Sequence, residues 1–200
     1  MNSHPSYRNT ALESIARNVL KTFNSNLLIT PQAIPIEIIM EQQYGLRFDY
    51  QYIRNNGRIL GETVFDNALV PIYDKDNGEY TLIPMKGGTV IIDASLIDNK
   101  SDGRFMFTCA HELSHWLIHY GHYAGSGQTA AMTDTVRSSQ ADKMIERQAN
   151  RLGCYLLMPS GTVKKAFYQT HGDKMGELTH LFGVSRQAME IRLNEMGLFN

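Results

Sequence analysis

Cysteine is scarce in this chain: 200 residues contain two, Cys109 and Cys154. Two thiols cannot build the disulfide framework of a small secreted protein, so a reducing compartment, the cytoplasm, is the expected setting. Long apolar runs are lacking too. None approaches the ~18 residues a membrane span needs. The first turns of the chain show no apolar segment with a small-residue cleavage site, so no secretory signal is expected. A surplus of one charge is also missing. The formal net charge is −1, which speaks against general polyanion binding, because neutralising phosphates takes an excess of Lys and Arg. No internal repeat or long low-complexity tract is visible. The rest is ordinary: 42% apolar and 20% charged residues, in a length that buries roughly two-thirds of its unfolded surface as one domain.

The hydrophobic pattern changes period along the chain. Leu12, Ile15, Val19 and Leu20 share a helical face within residues 10–22. Pro35 suits the first position of a second helix, with Ile36, Ile38, Ile39 and Met40 as its apolar content and Gly45 as its stop. From Leu46 to about Ile97 the segments LRFDYQYI, ILGETVF, ALVPIYD, EYTLI and TVIID are short, β-branched or aromatic, and separated by Gly- and Asn-rich turns. They predict a small, mostly antiparallel sheet. Helical spacing returns from Arg104 to Tyr120, a Gly-rich polar loop is expected over 121–139, and a strong helix over Gln140–Met158, ended by Pro159. Two or three short helices complete the chain. The expected class is α+β: the sheet packed on a helical half, with a helix-turn-helix-like segment at the C-terminal end. A single domain over 1–200 is expected, with a helical extension at 1–30, a catalytic core at 30–159 and a helical segment at 160–200 packed on that core.

The chemistry concentrates in FMFTCAHELSHWLIHY, residues 105–120, which holds H-E-x-x-H as His111, Glu112 and His115. Histidines four apart project from one helical face at the separation a single tetrahedral zinc needs. Glu112 lies about 100° round the helix from His111, off the metal but within reach of a water on it. There it can act as general base and pass the proton to the leaving amine. Phe105, Phe107, Ala110, Leu113, Trp116 and Leu117 flank the motif with core-forming side chains, so these polar groups enter a buried helix, where unpaired they would be costly.

Catalytic zinc usually takes three protein ligands. Position 121 is Gly and position 118 is Ile, so a third histidine in the downstream arrangement is absent. His119 is about 12 Å from His111 along the helix, and His122 is expected beyond the helix end. Glu146 in KMIERQANRLGCYLLMP is the better candidate. Its face continues through Ala149, Asn150, Gly153 and Leu157, and the small residues would let this helix approach the first closely. Asn150, one turn on, could accept a hydrogen bond from the far ring nitrogen of a ligand histidine. Asp142, on the same face, is the alternative ligand. A donor for the developing oxyanion is also required; Tyr120, Tyr123, His119, His122, His171 and His180 all remain open.

Taken in order, TVIID, RFMFTCAHELSHWLIHY, IERQANRLGCYLLMP and FGVSRQAMEIRLNEMGL closely resemble the ImmA/IrrE family of HExxH metallo-endopeptidases. The resemblance spans roughly residues 30–200 and is strongest over 104–159. It implies a gluzincin-like zinc site with His111, His115 and Glu146 as ligands and Glu112 as the catalytic carboxylate. It also implies a protein client, since members commonly act on helix-turn-helix repressors of phages, mobile elements or stress regulons. Ser114 stands where Gly is common in the family, and the long loop 121–139 is expected to change substrate access.

Residues 177–196 have the outline of a helix-turn-helix. Over 160–200, five cations (Lys164, Lys165, Lys174, Arg186, Arg192) face four anions (Asp173, Glu177, Glu190, Glu195), a surplus of one. That is little to hold a phosphate backbone, so direct nucleic-acid binding is not expected. The leading expectation is an intracellular zinc endopeptidase with a specific protein client. The alternative is a zinc-containing regulatory protein that binds a regulator or DNA and cleaves little. An intact Glu112 favours the former.

Overall fold

The computed structural model describes residues 6–54, 59–97, 103–125 and 140–198. The fold is α+β, with seven helices and two small sheets among the described residues. Helix α1, Asn9–Asn24, buries Leu12, Ala16, Val19 and Leu20, the i, i+4, i+7, i+8 stripe of an amphipathic helix. Ile15, expected on that stripe, is only half-buried at its margin, where Ala16 takes its place. Helix α2, Ile36–Tyr44, starts one residue after Pro35 and ends at Gly45, whose φ of 65° lets its N–H turn back to the carbonyls of Met40 and Glu41. Ile36, Ile39 and Met40 are buried, but Ile38 points to solvent at 44% exposure, because it lies on the opposite side of the turn.

Five strands follow: β1 Arg47–Gln51, β2 Gly61–Val64, β3 Ala68–Asp74, β4 Glu79–Met85 and β5 Thr89–Asp93. They form two sheets. One has the order β1-β5-β2, with β1 parallel to β5 (Phe48 opposite Val90) and β2 antiparallel to it (Thr63 opposite Val90). The other is the β3–β4 hairpin, with Val70 opposite Ile83. The TVIID run is continuous because its strand is central and covered on both faces. Val90 and Ile92 enter the main core with the helices, while Ile91 faces Ile53, Val64, Val70, Ile72 and Met85 under the hairpin.

Helix α3, Arg104–Tyr123, packs on β2 and β5, and α4, Gln140–Leu157, packs along α3 with α1 behind it. Gly121, His122 and Tyr123, expected in a loop, continue α3 for almost one more turn; residues 126–139 of that expected loop lie outside the described residues. Pro159 caps α5, Ser160–Gln169, and α6, Lys174–Phe182, and α7, Arg186–Glu195, complete the chain. Leu178, Phe182, Val184, Met189 and Leu193 of this last pair enter the same core as α1 and α3. Arg192 is buried with them at 2% exposure. Its guanidinium donates to Glu13 (2.7 and 3.0 Å), to Glu195 (3.3 Å) and to the Met158 carbonyl (3.0 Å), so it is not available to a phosphate. No helix of the described residues is long and apolar enough to cross a membrane.

Candidate metal centre

Helix α3 carries the two histidines one turn apart, and α4 brings a carboxylate to them. His111 Nε2 and His115 Nε2 are 3.0 Å apart. Glu146 reaches His115 Nε2 with Oε1 at 3.1 Å and His111 Nε2 with Oε2 at 3.3 Å. The approach depends on small residues in α4. Ala149 is fully buried, and a Cβ on Gly153 would sit 3.2 Å from the His111 nitrogen and 3.3 Å from the Ala110 carbonyl carbon. The helices therefore touch backbone to backbone at the motif.

These distances fit a metal. Two donors each about 2.05 Å from zinc at a tetrahedral angle lie about 3.3 Å apart. The set is two imidazoles and a carboxylate, which suits a divalent transition metal. Burial pulls the pKa of His111 down, but its hydrogen bond to Glu146, the charges of Glu112 and Glu146, and Asn150 outweigh this and raise it. Burial likewise works to raise Glu146, yet the two histidines hold its carboxyl far below the usual carboxylate range. Carboxylate and imidazole thus compete for protons where a cation would be satisfied by both.

Behind the donors stand further partners. Asn150 Oδ1 lies 3.0 Å from His111 Nδ1. His119, too far along the helix from His111 to share its metal, is also a candidate oxyanion donor by sequence. It turns away from the cluster: its Nδ1 lies 3.1 Å from His115 Nδ1 and its Nε2 3.3 Å from Gln148 Oε1. Burial, reinforced by His115, pushes its pKa down to about 3, so it stays neutral near pH 7. His122 is on the last turn of α3, edge-on against Tyr123. Tyr123 itself is stacked on Phe65 beside Trp116. Asp142 is half-buried one turn before Glu146 and does not join the cluster.

Glu112 is 3% exposed and is held from β2. Thr63 Oγ1 donates to its Oε2 at 2.7 Å. Gly61, on the same face of β2, leaves it room: a Cβ there would come within 2.7 Å of Glu112 Oε1 and of Thr108 Cγ2. Sequence reasoning missed Gly61, Thr63 and Gln148. The two β2 residues could have been suspected from their shared face, but nothing local paired that face with Glu112.

A cavity of about 820 Å³ opens beside the cluster, with Glu146 and Asn150 on its wall. None of the six residues left open as oxyanion donors lines it.

Two His nitrogens and a carboxylate on packed helices, with a second carboxylate held beside them, define a protein with a site able to hold a metal ion. Residues 95–194 match the family model for the IrrE N-terminal-like domain, peptidase family M78, and the chain belongs to that family, the ImmA/IrrE peptidases. A solved structure described as a Mycobacterium tuberculosis transcriptional regulator shares the fold, with a TM-score of 0.53 at 15% identity over 92% of this chain. The chain spans 46% of that protein's length. No curated protein matches the sequence.

Proposed function

We propose that the chain is a zinc-dependent endopeptidase that hydrolyses a peptide bond in a specific protein client, a helix-turn-helix repressor. The observation that carries this reading is the convergence of His111, His115 and Glu146, spaced for one tetrahedral ion, next to a buried carboxylate that a threonine holds in place. Family membership supports peptide-bond chemistry, and the fold shared with a transcriptional regulator fits a client in gene control.

His111 and His115 would hold zinc through Nε2 and Glu146 through its carboxylate. Zinc in such a site polarises the scissile carbonyl and lowers the pKa of the attacking water toward about 7. Glu112 takes the proton of that water and hands it to the leaving nitrogen. Thr63 keeps the Glu112 carboxylate from turning away. With Nε2 given to the ion, each histidine bears its proton on Nδ1. His111 then donates to Asn150, and His115 donates to the unprotonated Nδ1 of His119, whose Nε2–H in turn donates to Gln148. The neutral state of His119 is what lets it accept. A protein that only bound a regulator would have no use for Glu112 in this position.

The test is a comparison of wild type and Glu112→Gln on a proteome-derived peptide library, read by mass spectrometry. Glu112→Gln should keep one zinc per chain and lose cleavage by about 10²–10⁴-fold. Cleavage at the wild-type rate by Glu112→Gln would sink the mechanism.

A further inference from the structure

The cavity beside the metal centre continues well past it. It runs from Glu146 and Asn150 along α4 to α7, so its far wall is the second helix of the helix-turn-helix-like segment. Its volume of about 820 Å³ is that of a groove for several residues of extended chain, not for one side chain. The metal cluster meets solvent through Glu146, 26% exposed and on the cavity wall, and through His111, 16% exposed, while His115 at 1% is sealed behind them. A substrate that reaches the cluster therefore has a path along this groove.

The lining sets four cations against three acids. Arg104, Lys143, Arg147 and Arg151 reach it, in a chain whose net charge is −1. Two of the three acids there are already committed. Glu146 belongs to the metal cluster, and Glu195 is shared by Arg192, Arg151 and the Tyr155 hydroxyl, so Arg151 is itself partly engaged. Asp142 is the third acid on the lining. Lys143 and Arg147 are exposed and have no ion-pair partner among the described residues. Between these cations the walls are apolar, with Leu60, Phe107 and Ala188 half-buried and Ile191 58% exposed.

We infer that the groove between α4 and α7 binds an extended segment of the protein substrate that carries at least one Asp or Glu against Lys143 and Arg147, next to an apolar side chain seated on Ile191. The inference rests on the peptidase reading for its substrate but not for its chemistry. Cations at the rim select by sign and speed encounter more than they add affinity, and the apolar patch supplies contact area. The C-terminal helices act here as one wall of a peptide groove.

The test uses the full-length, zinc-loaded Glu112→Gln protein, which should bind without cutting. It is immobilised and offered a random dodecapeptide pool at about 100 mM salt, and the retained peptides are sequenced. Asp and Glu should be enriched within one or two residues of an apolar position. A Lys143→Glu/Arg147→Glu double variant should reverse the preference toward Lys and Arg. Peptides selected by the parent should bind the double variant at least tenfold more weakly, and that gap should shrink at about 0.5 M salt as the charges are screened. Both positions are exposed, so the fold should survive, and an unchanged melting curve checks this. Retention of peptides with no acidic preference, a preference untouched by the double variant, or failure to retain any peptide would overturn the proposal. So would tighter binding of a DNA duplex than of any peptide in the same assay. Wild type is then tested on the selected peptides. Acidic peptides that bind but are not cut would count against the peptidase reading while leaving the groove assignment in place.

Discussion

Two of the places where the described residues bury charge are built on opposite plans. Around Arg192, one guanidinium meets two carboxylates, a carbonyl and the face of Tyr155, so each of its three nitrogens has an acceptor within the protein. Around His111 and His115, three electron-pair donors crowd together, with two ring nitrogens 3.0 Å apart. The first cluster is complete as it stands and ties α1, α4 and α7 together. The second makes sense about a shared cation. Buried charge alone therefore does not mark a working site. The distinguishing feature is whether like groups converge on one point.

Single substitutions should separate the two plans. Glu146→Ala should abolish stoichiometric zinc binding, read by metal analysis after dialysis, with the fold retained. Full zinc occupancy in that variant would remove Glu146 as a ligand. Arg192→Ala should do the reverse. It leaves Glu13 and Glu195 without their shared partner and should cost about 3 kcal/mol of stability, read by urea unfolding, while whatever fraction stays folded binds zinc normally. A smaller effect belongs to the residues behind the ligands. Asn150→Leu and His119→Phe should each weaken zinc affinity by about 10- to 100-fold in chelator competition. His119→Gln, which can still offer an acceptor to His115, should recover part of the loss. Equal affinity in all three would leave these side chains as packing only.

The smallest effect is one of pH. His119 is held neutral, with its pKa pushed down to about 3, against about 6.5 for an unfolded histidine. The unfolded chain takes up this proton first as pH falls. The stability His119 contributes is therefore present above about 6.5 and is lost progressively as pH falls toward its folded value. Metal-free His119→Gln should show a shallower loss of stability over that window than metal-free wild type. Parallel curves would contradict a buried neutral imidazole.

What could be read from the sequence was what lies close together along it. His111, Glu112 and His115 sit on one turn and a little more, so spacing alone grouped them. Glu146 was reachable because Ala149 and Gly153 mark a face meant for close approach. The grip of Thr63 on Glu112 joins residues 49 apart, and that of Gln148 on His119 joins residues 29 apart. Neither pair has a local pattern. The pairing of Arg192 with Glu13 spans 179 residues, so a count of charges in the C-terminal segment treated Arg192 as a surface cation when it is a core one. The small, mostly antiparallel sheet was legible in outline only. Its strands were visible as short apolar runs, but their division between a mixed three-stranded sheet and a separate hairpin is decided by pairing partners far apart in the chain.

Gly61 has a consequence for how the chain reaches its working form. Strand β2 has only four residues, and its sheet register against β5 sets which of them faces Glu112. A slip of one place turns every side chain to the other face, and would drive Leu60 or Glu62 into space that does not admit even a methyl group. The helix bearing the carboxylate thus acts as a gauge that admits one alignment of the strand. Misaligned molecules could not close α3 onto the sheet, so the zinc-loaded fraction of a preparation should also count the molecules whose sheet is correctly zipped.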